Sequence, residues 1–186
     1  RLILSSNNRI GLNPTIFSGV RFGNVLDSSG SILKIFREQI SKNYPLTITD
    51  KRMTRFFINL NNAIKLCLYA ENNMCGGEIF VKNMASINIQ DLAYAFSQNA
   101  KLKIKYIGLK KGEKLYEELF TNEEAERAFL YDNYIYIFPS YWHPNLSAKQ
   151  KNKINLIMKD GLKLKKELRS DENVLNIKNI QKLLNS

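Results

Sequence analysis

Short β-rich runs alternate with amphipathic helical runs along most of this chain, and that alternation limits the folds open to it. Residues 15–22, 46–49, 78–81, 102–107 and 134–138 are strand-sized and rich in branched and aromatic side chains. Between them, residues 31–41 place Ile32, Ile35, Phe36 and Ile40 on one helical face. Residues 60–69 do the same with Ala63, Ile64, Cys67 and Leu68. A third helix is expected over 89–96, with Asp91 in the first turn, where a carboxylate complements the helix dipole. A short helix is expected after Gly112 through Leu119, a long basic one over 147–168, and a last one over 173–184. Strands alternating with helices specify an α/β fold with crossover connections.

Composition narrows the partners. With 186 residues, 44% of them hydrophobic, the chain is expected to be a soluble globular protein with a sizeable core. No apolar run approaches the roughly 20 residues that a membrane-spanning helix needs. Lys and Arg number 28 against 17 Asp and Glu, a net charge of +11. The last 40 residues hold 10 Lys/Arg and 4 Asp/Glu, so +6 of that charge lies there. The basic residues are not interleaved with aromatics as stacking platforms would be, so no nucleic-acid partner is expected. The helix expected over 147–168 has a narrow apolar stripe of Ile154, Ile157, Met158 and Leu162. Its basic face is expected to be solvated, with peripheral contact to an anionic membrane as the alternative.

Several chemistries are missing. Cys67 and Cys75 make no disulfide framework and read as reduced thiols. His143 is the only histidine, so no metal site is expected. There is no G-x-G-x-x-G. A Y-x-x-x-K string joins Tyr106 to Lys110, but Tyr106 ends a strand and Gly108 breaks any helix, so no catalytic role is assigned. Residues 1–9 read as the end of a helix already under way, without a signal peptide. The chain is therefore expected to be cut from something longer, and to be cytoplasmic.

Three segments carry positive information. In residues 20–31 (V-R-F-G-N-V, then S-S-G-S at 28–31) a strand ends in a small-residue loop and a helix opens, offering unpaired N–H groups to an anion. The second segment is I-T-D-K-R-M-T-R-F-F at 48–57, and the third G-L-K-K-G-E-K-L-Y-E-E-L at 108–119. On residue types alone these indicate only an anion site. Arg55 is equally a surface ion-pair residue, Asn24 a turn cap, and Glu113 with Lys114 ordinary first-turn residues of a helix.

Together with G-G-E-I-F-V at 76–81, and in this order, the segments resemble the C-terminal half of an extended short-chain dehydrogenase/reductase. The nearest likeness is to the UDP-N-acetylglucosamine 4,6-dehydratases of bacterial polysaccharide and glycan biosynthesis. The resemblance runs over residues 1–139 and implies a nucleotide-sugar-binding half there, with residues 140–186 as a basic helical tail. It implies an α/β fold that is the C-terminal portion of an extended Rossmann-type enzyme, with a few strands, flanking helices and a substrate-binding subdomain. It places Asn24 and the loop of Gly30, Ser31, Ile32 and Leu33 on the nucleotide sugar. It places Arg55 on the pyrophosphate, and Lys110 with Glu113 on phosphate and ribose. Cations pair with a diphosphate, and a carboxylate accepts both hydroxyls of a ribose diol. Lys110 stands where the family usually has Arg, Asp27 where Gly is common, and Lys34 where Pro is frequent. For the complete enzyme the resemblance implies NAD(P), a UDP-sugar substrate and lyase chemistry. In this chain it implies no catalytic residue and no held cofactor, with an N-terminal half or a homo-oligomer as the implied protein partner. A non-catalytic UDP-sugar-binding module and a degenerate truncated remnant are the other two readings.

Overall fold

The computed structural model describes residues 7, 15–28, 30–97, 103–142 and 145–184. In chain order the strands are β1 (Gly19–Arg21), β2 (Asn24–Val25), β3 (Leu46–Ile48), β4 (Thr54–Ile58), β5 (Ile79–Lys82) and β6 (Ala85–Asn88). They continue with β7 (Ile104–Tyr106), β8 (Glu118–Phe120), β9 (Ala128–Tyr131), β10 (Tyr134–Ile137), β11 (Leu162–Lys163) and β12 (Leu168–Arg169). The helices are α1 (Ile32–Ser41), α2 (Leu60–Asn73), α3 (Ile89–Ser97), α4 (Asn122–Ala125), α5 (Ala148–Asp160) and α6 (Ile177–Leu184). The expected α/β class is found, with parallel and antiparallel pairing both present. The chain divides into two compact units. Unit 1 comprises Arg1–Phe22, Asn61–Asn83 and Leu119–Leu168, and unit 2 comprises Gly23–Leu60, Met84–Glu118 and Arg169–Ser186.

Unit 1 is built on a five-stranded sheet of order β1-β5-β10-β9-β11. Only the β1–β5 pair is parallel; Asp132 and Asn133 turn β9 back on β10 in left-handed conformations that these residue types tolerate. Its core is aromatic, with Phe80, Phe129, Tyr136 and Phe138 packed with Leu66 and Ala70 of α2 and Ile154 and Ile157 of α5. Each fully buried side chain of this size stabilises by roughly 1.5–3 kcal/mol.

Unit 2 holds a three-stranded sheet, β2-β4-β6, and a separate parallel pair, β3 with β7. Its core is mostly aliphatic: Leu33 and Phe36 of α1, Leu46 and Ile48 of β3, Ile89 and Leu92 of α3, and Ile180 of α6. Strand β4 is buried at four of its five positions, which is why period-two alternation does not reveal it.

Four expectations are corrected. No helix forms over 112–119. The carbonyls of Lys114 and Leu115, which a helix would use internally, accept instead from the Arg55 guanidinium, and Leu115 O also takes the Thr54 N–H. The helix expected over 147–168 stops at Asp160, and Leu162–Lys163 then pairs with β9. Gly161 permits that exit, since a Cβ there would lie 2.5 Å from Ile157 O and 3.3 Å from Leu130 O. Helix α2 buries Ala63, Leu66 and Ala70, leaving Ile64 and Leu68 about half exposed at 48% and 52%. Helix α1 buries Leu33 and Phe36, with Ile32 and Ile40 partly buried against the same core, so of the expected stripe Ile35 alone is exposed. Helix α5 packs in unit 1 and helix α6 in unit 2. Residues 1–6 and 8–9 of the expected opening helix, and His143, lie outside the described residues.

Candidate functional site

Unit 2 contains a cavity of about 360 Å³, within the roughly 300–1,000 Å³ typical of small-molecule sites. Asn24, Gly30, Ile32, Arg55, Lys110 and Glu113 line it, joined by Thr47, Thr49 and several apolar side chains. A smaller neighbouring cavity of about 210 Å³ shares Asn24, Gly30 and Ile32, and adds Ser28 and Ser31. Residues from three distant segments are thus brought together. Leu33 is not among them: it is 1% exposed and belongs to the core.

Strand ends position the lining. Asn24 opens β2, Thr49 follows β3 and Ile107 follows the parallel strand β7, so the cavity sits at the carboxyl ends of the β3–β7 pair. Ser31 is the N-cap of α1, in an extended conformation, and its side chain makes no capping bond. Its hydroxyl is buried without a hydrogen-bond partner, an arrangement that costs stability unless something occupies it.

The charged groups differ in how far they are committed. Arg55 donates through Nη1 to Thr54 O at 2.8 Å and Leu115 O at 3.3 Å, and through Nη2 to Lys114 O at 2.7 Å. Its Nε lies 3.7 Å from Glu117 Oε1. Of five guanidinium N–H groups, three are held by backbone carbonyls, leaving one on Nη2 for a ligand. The Lys110 ammonium has no ion-pair partner among the described residues and is exposed. Glu113 accepts the Lys110 N–H through Oε2 at 3.0 Å, while its Oε1 lies 3.5 Å from the Thr49 hydroxyl. A carboxylate has about four lone-pair positions, so Glu113 retains accepting capacity toward the cavity. Asp27, which sequence places as added negative charge beside the anion loop, is paired with Arg37 at 2.5 Å.

A family profile described as "Polysaccharide biosynthesis protein" matches residues 1–139. The chain belongs to the polysaccharide biosynthesis protein family. It is thereby an extended short-chain dehydrogenase/reductase. An uncharacterized membrane protein of Methanocaldococcus jannaschii is 40% identical to this family member over 177 residues, 90% of this chain and 52% of that protein. A UDP-N-acetylglucosamine 4,6-dehydratase (inverting) of Campylobacter jejuni is 40% identical over 141 residues, 75% of this chain and 42% of that one. Among solved structures, the X-ray structure of Pen from Bacillus thuringiensis superposes with a TM-score of 0.85 at 33% identity, covering 99% of this chain and 54% of that one. The chain spans about half the length of the relatives it matches. Among the described residues, no helix of this polysaccharide biosynthesis protein is long and apolar enough to cross a membrane.

Thr47, Thr49, Met53, Ile89 and Ile107 are lining residues of this family member that the sequence reading did not single out. The signal for Thr49 was its place immediately after a short β-rich run, where α/β proteins collect ligand-binding residues.

Proposed function

We propose that this chain is the UDP-sugar-binding half of an NAD(P)-dependent nucleotide-sugar 4,6-dehydratase of polysaccharide biosynthesis. One observation carries the proposal: Asn24, Arg55, Lys110 and Glu113, spread over 90 residues of sequence, line a single cavity. In this reading the exposed Lys110 ammonium meets the diphosphate, and Arg55 adds its remaining Nη2 hydrogen. Glu113 accepts from the ribose hydroxyls. Asn24, Ser31 and the opening amides of α1 bind the rest of the nucleotide sugar.

NAD(P) would supply the oxidation and re-reduction of the sugar in the complete enzyme. The residues described here do not fit a dinucleotide. Strand β2 reaches α1 through a loop with one glycine, Gly30; β4 reaches α2 across Asn59 alone; β6 runs into α3 with no loop. None of these junctions is a glycine-rich turn of the kind that cradles a pyrophosphate. The redox step therefore belongs to another part of the full protein, and this chain alone gives no turnover. A 4-keto product formed by the purified chain from UDP-N-acetylglucosamine and NADP+ would contradict that.

Calorimetry tests the site. A charge-assisted hydrogen bond is worth roughly 1.5–3 kcal/mol, about ten- to a hundredfold in affinity. Glu113→Gln should weaken UDP by about tenfold and 2′-deoxy-UDP by much less, because only UDP offers the full diol. Lys110→Ala should weaken both alike, whereas Lys110→Arg should tighten both by restoring a fork. If Glu113→Gln and Lys110→Ala leave UDP affinity unchanged, the cavity is not the nucleotide site.

A further inference from the structure

Part of the candidate site is held in place by a segment that lies beyond the family match. Ser170 is fully buried, at 0% exposure, although it is polar. Its hydroxyl accepts the Glu117 N–H at 2.9 Å, donates to Thr54 O at 3.1 Å and lies 3.0 Å from Thr54 Oγ1. Its own N–H donates to Glu117 O at 2.9 Å, and its carbonyl accepts from the Ser86 hydroxyl. Next to it, the Arg169 guanidinium lies 3.9 Å from the centre of the Tyr116 ring while pairing with Asp171 at 2.6 Å. Residues 116 and 117 are thus gripped through ring and backbone by residues 169 and 170. From the other side, Arg55 and the Thr54 N–H take the carbonyls of residues 114 and 115.

The gripped strip is the one that follows Glu113. Glu113 in turn is tied to Lys110, through both side chain to backbone and backbone to backbone bonds. Residues 114–117 form no helix or strand, so no internal ladder fixes their path. The external donors and acceptors do so, and a buried polar network of this kind specifies one geometry because any other leaves groups unpaired.

We propose that Arg169 and Ser170 are positioning residues for the nucleotide-sugar site: they lock the 114–117 strip so that Glu113 and Lys110 face the cavity. The proposal rests on reading that cavity as the UDP site. It also assigns a task to a part of the chain that composition marks only as a basic tail.

The test compares Ser170→Ala and Arg169→Ala with the unaltered chain, by hydrogen exchange resolved to short peptides and by calorimetry with UDP and 2′-deoxy-UDP. Ser170→Ala removes the hydroxyl without adding volume, and Arg169→Ala acts at a partly exposed side chain. Both variants should speed exchange over residues 113–117 by at least tenfold while β5 and β10 stay protected. UDP affinity should fall about five- to twentyfold, and the preference for UDP over 2′-deoxy-UDP should narrow, a loss that general destabilisation does not produce. Unchanged exchange over 113–117 in both variants overturns the proposal. Faster exchange with an unchanged UDP preference overturns it as well. If the unaltered chain binds no UDP, the nucleotide reading falls and this proposal falls as a statement about that site. Exchange would then still show whether the strip is locked by these residues.

Discussion

Glu78 of unit 1 and Glu113 of unit 2 are both carboxylates set against backbone N–H groups, but their surroundings differ. Glu78 is 1% exposed and accepts from the Ser18 hydroxyl, the Cys75 N–H and the Gly76 N–H. Glu113 is half-buried, takes the Lys110 N–H and one long bond from Thr49, and lines a cavity. The arginines repeat the contrast. Arg21 in unit 1 is spent on Glu124 in a two-pronged pair and on Leu119 O. Arg55 in unit 2 is mostly spent on the carbonyls of Thr54, Lys114 and Leu115, while it lines the cavity itself. A charged group whose hydrogen bonds are all met internally acts on stability. One left partly unmet beside a cavity is available to a ligand.

That contrast is tested most severely at Glu78. Glu78→Leu strands two amide donors and a hydroxyl at roughly 1–3 kcal/mol each, so urea unfolding should show a loss of about 3–5 kcal/mol. Glu113→Gln should cost less than about 1 kcal/mol in the same measurement. Equal losses would erase the distinction between the two carboxylates.

The Arg21–Glu124 pair comes next. Burial pushes the Glu124 carboxyl up, but the bonds from Arg21 and the Thr121 N–H outweigh it and hold the group below its ordinary value. A depressed folded value means stability that is present above the ordinary carboxylate range and lost as pH falls through the folded value. Glu124→Gln should therefore cost about 1.5–3 kcal/mol at pH 7. The gap to the unaltered chain should close as pH drops below about 4. A gap independent of pH would show that the ion pair is not its source.

Arg55→Lys sharpens the contrast on the open side. A lysine keeps the charge but cannot reach three carbonyls at once. UDP affinity should fall by about tenfold, roughly 1.4 kcal/mol, and exchange over 114–117 should quicken. Full retention of both would return Arg55 to the role of a simple cation.

The smallest effect concerns the thiols. Burial, reinforced by the neighbouring Glu78, pushes the Cys75 thiol up to about 11, while Cys67 is exposed. Thiolate is the reactive form. At pH 8 one of the two cysteines should react with a thiol reagent in the folded chain, and the second only after denaturation.

Much of this was legible in residue order. The strand runs at 46–49 and 134–138 and the helices opening near Ile32 and Ile89 rest on local periodicity and turn chemistry, which act within a few residues. Strand β4 escaped because buried strands lose the alternation that marks them, and β6 because it is only four residues long. The short helix assigned beyond Gly112 failed for a different reason. Its residues favour a helix, but Arg55, about 60 positions away, takes the carbonyls the helix would need.

The sequence by itself determined the α/β class, most of the helix starts, and the residue types of a candidate anion site. Tertiary structure decided that Asn24, Arg55, Lys110 and Glu113 share one cavity, that Leu33 belongs to the core, and that Asp27 is neutralised by Arg37. It also decided that Ser170 closes on Thr54, 116 residues earlier. Periodicity tells which face of an element is apolar. It says nothing of which distant donor will claim a given carbonyl, because that is settled only when the strands pair and the chain's far segments meet.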